Sequence, residues 1–438
     1  MRVDEVFGIG VGNQTPAYVD RGRLDKLFRD GLKASRHVSV HGGSKQGKTW
    51  LRKRGLSDAE SIVVQCTNTS TAISLLEETL ERIGVTARLT SRSEGRIGGE
   101  LLIGSQAKAQ LKIPFTAKGG VDVNAEVSGH GERVTEVQEE FFAQTAANLQ
   151  WVSTAILRSG KTLVIEDFHY LAESEQKVFA SWMKAMGEYG CHLVIIGVWA
   201  QSHLLSYFNG DLEGRVDDIH LKWTDEDLAK VVRQGVSALG GQFSDDLVNA
   251  LVQDAYGNVG LVHRLAQQVC RIEGVDEMER PFVIDVNESL TEARRAVADQ
   301  MSGRFETFAS NFVRGMRRLP EGLVVYLHLL RAFTATEDAK LESKGVDASD
   351  LLAEIKAEGG DIRSSDLTQA LERVDKLQVK IDVSPPVLVY HRAGKRVQLV
   401  DRSFLFFRKY GDIRWPWDEP DEDIRNDLAK ESPLVLDI

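Results

Sequence analysis

The chain has 438 residues, 42% hydrophobic and 27% charged, enough for about three domains of roughly 150 residues with buried cores. Its net charge is −11, but Asp418 to Ile438 hold eight acids and two bases, so −6 of that sits in a tail and the body is only mildly acidic. Cys66, Cys191 and Cys270 stand far apart with no CxxC or HExxH spacing, which excludes a disulfide framework and a zinc ribbon and points to a reducing, cytoplasmic address; the apolar runs Leu193 to Ala200 and Leu323 to Ala332 are about half what a bilayer span needs, and no signal peptide is visible.

From His37 to about Leu221, short β-branched runs alternate with helical patterns, as in a parallel sheet wrapped by helices. Strands are predicted at residues 37–41, 61–66, 162–165, 192–196 and 216–221, five in all, and Ile73, Leu76, Leu80 and Ile83 mark an amphipathic helix after the second. An insertion at about 91–134 is glycine-rich and alternates with period two. Ala107, Ala109, Leu111 and Ile113 form one expected arm of a hairpin and Val121, Val123, Ala125 and Val127 the other, with opposite charges facing across the strands. It reads either as a surface decoration or as a contact for a neighbouring subunit, a partner or nucleic acid.

Thr224 is a good N-cap ahead of Asp225, Glu226 and Asp227, whose charges suit a helix amino end. Three short helices then run to Arg271, a small helical lid. A helical connector leads to Leu319, where a third unit begins: helices at 323–333, 351–355 and 365–377, then two β-runs around Ala393-Gly394, the pattern of a winged helix. The expected division is 1–222 for the core, 223–275 for the lid, 276–318 for the connector, 319–412 for the winged helix and 413–438 for the acidic tail.

The strongest chemical signal is Gly42-Gly43-Ser44-Lys45-Gln46-Gly47-Lys48-Thr49, a full GxxxxGK[ST] match between a predicted strand and a predicted helix that continues with Trp50. Glycines let backbone N–H groups approach phosphates, and the helix amino end adds positive partial charge. Lys48 is expected to reach the β and γ phosphates and Thr49 to bind magnesium. A second signal is Leu163-Val164-Ile165-Glu166-Asp167, an apolar strand delivering two carboxylates at its carboxyl end. One is needed for the metal and one for the attacking water; by position Glu166 takes the metal and Asp167 the water, the reverse of the usual Asp-Glu order.

With these two motifs the chain resembles the AAA+ and STAND class of P-loop ATPases, particularly the branch of origin-recognition ATPases and TniB/TnsC-type transposition ATPases. The resemblance implies an ATP- and Mg2+-dependent ATPase with a five-stranded parallel α/β core of the additional-strand kind, a helical lid and a C-terminal winged helix. Tyr18 to Leu27 is similar to the segment that precedes the first strand in these families and packs near the adenine. Leu193 to Ser202 is similar to the sensor-1 strand, but Trp199 stands where a polar residue is usual, and no sensor-1 residue is assigned. Arg215, just before the fifth strand, matches the position of an arginine finger that enters a neighbouring subunit's site. Tyr256 to Leu265 is similar to the Gly-Asn-x-Gly segment of the transposition ATPases, with Gly260 at the sensor-2 position and Arg264 one turn on, either a substitute or an arginine packed on the lid.

Residues 362–410 hold ten Lys plus Arg against five Asp plus Glu, a local +5 of the kind expected on a phosphate-binding surface. Arg373, Lys376 and Lys380, and Arg392, Lys395 and Arg396 at the wing tip, are the candidates for DNA contact. In STAND relatives a winged helix instead packs on the nucleotide domain as a switch. The expectation is a nucleotide-controlled switch that forms a homo-oligomer on ATP binding and signals to a separate partner or effector protein, as in prokaryotic defence. The alternative is a DNA-binding initiator or transposition ATPase.

Overall fold

In the computed structural model, the described residues are 1–8, 15–92, 96–103, 113–118, 148–199, 201–277, 281–317, 323–342, 345–380, 383, 386–392, 394–412, 415 and 417. The chain divides into two compact units, one made of Arg21–His41 and Lys48–Leu221, the other of Met1–Asp20, Gly42–Gly47 and Lys222–Ile438.

The first unit holds strands β1 (His37–His41), β2 (Ser61–Gln65), β3 (Val85–Arg92), β4 (Arg96–Ile103), β5 (Ile113–Lys118), β6 (Thr162–Glu166), β7 (Val194–Ile196) and β8 (Val216–His220). Five of them form one parallel sheet in the order β2-β6-β7-β1-β8, the five predicted. Both faces of such a sheet are covered, so its strands read as near-continuous apolar runs. Alternate side chains serve different cores: Leu163, Ile165 and Ile195 pack with the helices Ala72–Arg82, Leu149–Ser159 and Glu173–Glu188, whereas Val164, Val194 and Ile196 join Phe28, Val38, Val40 and Leu51 on the other face. Strand β7 lies between β6 and β1, so the two chemical motifs leave the same edge of the sheet one strand apart.

Strands β3, β4 and β5 form a separate antiparallel sheet. It starts at Val85, directly after the helix Ala72–Arg82. The expected arm from Val121 to Val127, and all but Ile113 of the arm from Ala107, lie outside the described residues.

The second unit is built on one continuous apolar cluster. Thr224, Ser244 and Asn258 each accept a hydrogen bond from a backbone N–H three residues on and so start the helices Asp225–Ala238, Asp245–Asp254 and Val259–Ile272. The amino-terminal helix Val3–Phe7 buries Val3, Val6 and Phe7 in the same cluster. Strands β9 (Gly241–Phe243) and β10 (Phe282–Ile284) pair in parallel, a ladder that the sequence reading took for loop and connector. The helix Glu288–Arg317 follows. Beyond it, the helices Leu323–Ala335, Ala348–Ala357 and Ser364–Lys380 accompany a three-stranded antiparallel sheet of β11 (Val346–Asp347), β12 (Leu388–His391) and β13 (Arg396–Leu399), ordered β11-β13-β12. Trp415 and Trp417 stack at 5.1 Å; Trp417 is fully buried and its Nε1–H donates to Thr334 Oγ1 at 2.9 Å. These tryptophans are core rather than tail. The acidic stretch from Asp418 lies outside the described residues.

Candidate nucleotide-binding site

Strand β1 runs directly into the glycine loop, and the helix Lys48–Gly55 begins at the motif lysine. Gly42 and Gly47 take φ values of 145° and 79°, which glycine adopts without a Cβ penalty; Lys45 is also left-handed at 56°. Within the second unit the loop's carbonyls are held by three donors. Trp223 Nε1–H reaches Gln46 O at 3.0 Å, Gly260 N–H reaches Lys45 O at 3.1 Å and Asn258 Nδ2–H reaches Ser44 O at 3.5 Å. Asn258 thus caps its own helix and touches the loop.

Gly260 has a steric reason. A Cβ there would stand 2.7 Å from Lys45 Cβ and 3.1 Å from Lys45 O, so an arginine at this sensor-2 position would drive the loop away. Arg264, one turn further, donates through Nη2 to Gln300 Oε1 at 2.9 Å. It shares a half-buried cationic group with Lys45 and Arg304, in which Asp401 is the acid paired with Arg304. Burial and then Arg264 lower the Lys45 pKa, and burial and then Arg304 lower that of Arg264.

Within the first unit, Lys48 is only 8% exposed. Burial lowers its pKa to about 8, against the pull of Asp167 and Glu166. Glu166 ends β6 and is buried; Arg52, one turn after Lys48, donates from Nε to Glu166 Oε1 at 3.3 Å, and Gln65 Nε2 lies 3.5 Å from the other oxygen. Arg52 also pairs with Asp58. It was missed in the sequence, although its i+4 spacing from Lys48 is the available signal. Asp167 takes a left-handed φ of 57°, and burial and then Glu166 raise its pKa. His169 follows on a 3-10 turn, Phe168–Tyr170; its Nδ1 accepts from Val198 N–H at 3.2 Å, and burial and then Lys48 lower its pKa to about 3.

Not every predicted residue joins this group. Arg215 precedes β8 and pairs at the start of the strands with Glu188, Nη1 to Oε1 2.8 Å, both about half exposed. Its carbonyl accepts from His37 N–H, at the end of β1 away from the loop. Trp50 lies 5.9 Å below the Lys53 ammonium. Trp199 is buried and stacks on His41 at 5.4 Å, so the aromatic at the sensor-1 position is a packing residue. The Thr49 hydroxyl and the adjoining carboxylates are hard oxygen donors of the kind magnesium takes. Among the described residues no cluster of three or more His, Cys, Asp or Glu could hold a metal.

A five-stranded parallel sheet with a phosphate loop after one strand and paired acids after another, one strand away, has the fold of a P-loop ATPase. The chain is similar in structure to a Walker-type ATPase of Pyrococcus abyssi, at 13% identity over 92% of this chain and 99% of that one, with a TM-score of 0.53. Matches also include the Orc1 protein of Aeropyrum pernix in complex with DNA (13% identity, 89% and 90% covered, TM-score 0.38) and the RuvB Holliday junction branch migration motor of Thermotoga maritima (10%, 90% and 96%, TM-score 0.36). No family model and no curated protein matches the chain. No helix among the described residues is long and apolar enough to cross a membrane.

Proposed function

We propose that the protein is an ATP-binding, Mg2+-dependent ATPase of the AAA+/STAND kind, working in the cytoplasm as a nucleotide-controlled assembly switch. The observation that carries this is Lys48, buried at the head of its helix within the field of Glu166 and Asp167. A buried ammonium is costly to desolvate, and this one stands at the position where a phosphate chain would help to neutralise it. The loop from Gly42 to Gly47 binds the phosphates through backbone N–H groups, and Lys48 draws charge toward the β and γ positions. Thr49 and Glu166 would hold Mg2+, which would supply charge neutralisation on the phosphate oxygens. Asp167 orients a water and accepts its proton as the water oxygen bonds to the γ phosphorus and the bond to the β-phosphate oxygen breaks, releasing ADP and phosphate.

Around this chemistry we read residues 223–275 as lid and 319–412 as winged helix. The loop contacts from Trp223, Asn258 and Gly260 support a link between nucleotide and lid, because any shift of the loop is felt directly by those residues. The Arg215–Glu188 pair lies at the end of the strands away from the chain's own loop, so Arg215 acts as a finger only in a second copy's site, in a homo-oligomer formed on ATP binding. A separate partner or effector chain receives the switch. The test is steady-state phosphate release with Lys48→Ala and Asp167→Ala as controls, together with the oligomeric state in ADP and in a non-hydrolysed ATP analogue. Turnover or assembly equal in wild type and Lys48→Ala would reject the proposal.

A second reading, a DNA-associated initiator or transposition ATPase, is favoured by the exposed Arg373, Arg392 and Lys395. Arg396 is engaged by Asp347 through two hydrogen bonds of 3.0 Å, which leaves fewer wing cations for phosphate. This reading requires DNA affinity that falls steeply with salt and is lost in Arg392→Glu/Lys395→Glu.

A further inference from the structure

Past β7 the sensor-1 segment continues into Val198, which has no polar side chain, and Trp199, whose ring stacks on His41 and whose Nε1–H is buried without a hydrogen-bond partner among the described residues. The backbone of that segment is nevertheless engaged from the neighbouring motif. Val198 N–H donates to Nδ1 of His169, two residues beyond Asp167, at 3.2 Å. A ring nitrogen that accepts a hydrogen bond carries no proton, so the imidazole is held as the neutral tautomer with its hydrogen on Nε2. That Nε2–H is buried and has no hydrogen-bond partner among the described residues. A buried donor left unmatched is costly.

We infer that His169 supplies the missing sensor: its Nε2–H donates to an oxygen of the terminal phosphoryl group of ATP, the group toward which Lys48 is directed, and so distinguishes ATP from ADP. The inference rests on the ATPase reading above. Three features of the fold make the ring suitable. Asp167 turns the chain through a left-handed residue, which sends Phe168 into the core and the next side chain across toward β7. Phe168 packs against Phe179 and Trp199, anchoring the turn. The Val198 N–H then fixes which nitrogen donates, so the donor is oriented before any nucleotide arrives. A gained or lost γ phosphate would pull on the segment after β7 through this one side chain.

The test compares wild type, His169→Leu and His169→Gln for affinity toward ATPγS and ADP, each in the presence of Mg2+, with Lys48→Ala as the reference for a lost site. Glutamine has an oxygen to accept from Val198 and an N–H to pass on; leucine fills the space with neither. The expected result is a drop of about 10-fold or more in the ATPγS/ADP affinity ratio for His169→Leu, the loss appropriate to one hydrogen bond to a charged group. ADP affinity should stay within about 2-fold by the same reckoning, and His169→Gln should recover most of the ratio. An unchanged ratio in His169→Leu, equal weakening of both nucleotides, or a leucine-like glutamine variant would overturn the assignment while leaving the ATPase reading intact. Wild type that binds neither nucleotide, or binds no better than Lys48→Ala, would overturn both.

Discussion

The close approach of Gly260 to the phosphate loop can be tested by adding a single methyl group. In Gly260→Ala the new Cβ would meet Lys45 Cβ at 2.7 Å and Lys45 O at 3.1 Å. Both atoms are fixed by the loop's main chain, so no side-chain rotation relieves the contact; the loop or the helix must retreat by about 1 Å to reach ordinary van der Waals distance. Overpacking of this kind costs about 1 to 3 kcal/mol. Replacing glycine by alanine in a helix returns up to about 1 kcal/mol, but Gly260 is the second residue of its helix, where the return is smaller. The balance is a loss of about 1 to 2 kcal/mol, or a few degrees in melting temperature. Retreat also stretches the 3.1 Å hydrogen bond from Gly260 N–H to Lys45 O, which frees the loop and should weaken nucleotide binding by about 10-fold. Thermal melts and titration with a fluorescent ATP analogue measure the two effects. A Gly260→Ala protein with wild-type melting and wild-type affinity would refute the argument that this glycine exists to let the loop in.

Three further outcomes follow from buried charges. Arg52→Leu removes the guanidinium that hydrogen-bonds Glu166 in a site where both side chains are at most 6% exposed, so denaturant melts should show a loss of about 3 to 5 kcal/mol; a loss below about 1 kcal/mol would mean that the pair contributes little. His37 is fully buried with Nδ1 accepting from Leu193 N–H, and burial and then His192 hold its pKa down at about 4 against an ordinary 6.5. Because the unfolded chain takes the proton first, stability is constant above pH 6.5 and falls as pH drops toward 4, by about 2 kcal/mol at pH 5; urea melts of wild type and His37→Gln at pH 7 and 5 should differ by that increment, and parallel pH dependence would reject it. Asp167→Asn keeps a residue that tolerates the left-handed backbone but removes the proposed base, so phosphate release should fall by about 100-fold or more with ATP binding retained.

The parts legible in the sequence are those written in local pattern. The five strands of the parallel sheet read as apolar runs because both faces are covered, and the loop and paired acids are local strings. Thr224 declared its cap through the three acids behind it. What escaped notice depends on distance in the chain. The β9–β10 ladder joins segments too short for a period-two signal, and Arg52 acts on an acid 114 residues away. Trp415 and Trp417 look like the start of a tail until the Thr334 hydroxyl and the Phe308 ring are set beside Trp417. Gly260 stood out only as a missing arginine, and its reason became visible once Lys45 was placed against it.

The reversed order of the two acids has the same kind of explanation. The second acid sits at φ 57°, a conformation costly for most L-residues and tolerated best by Asn and Asp, whose short polar side chains bond locally. A glutamate there would lengthen the reach of the base at the price of a strained backbone. Aspartate gives up reach and keeps the turn that carries Phe168 into the core and His169 to Val198. Glutamate at the preceding position meets no such restriction, since Glu166 is the last residue of β6, and there it reaches Arg52 and Gln65. The order Glu166-Asp167 is therefore set by the backbone each position must adopt: the longer acid falls where the chain is extended and the shorter one where it must turn.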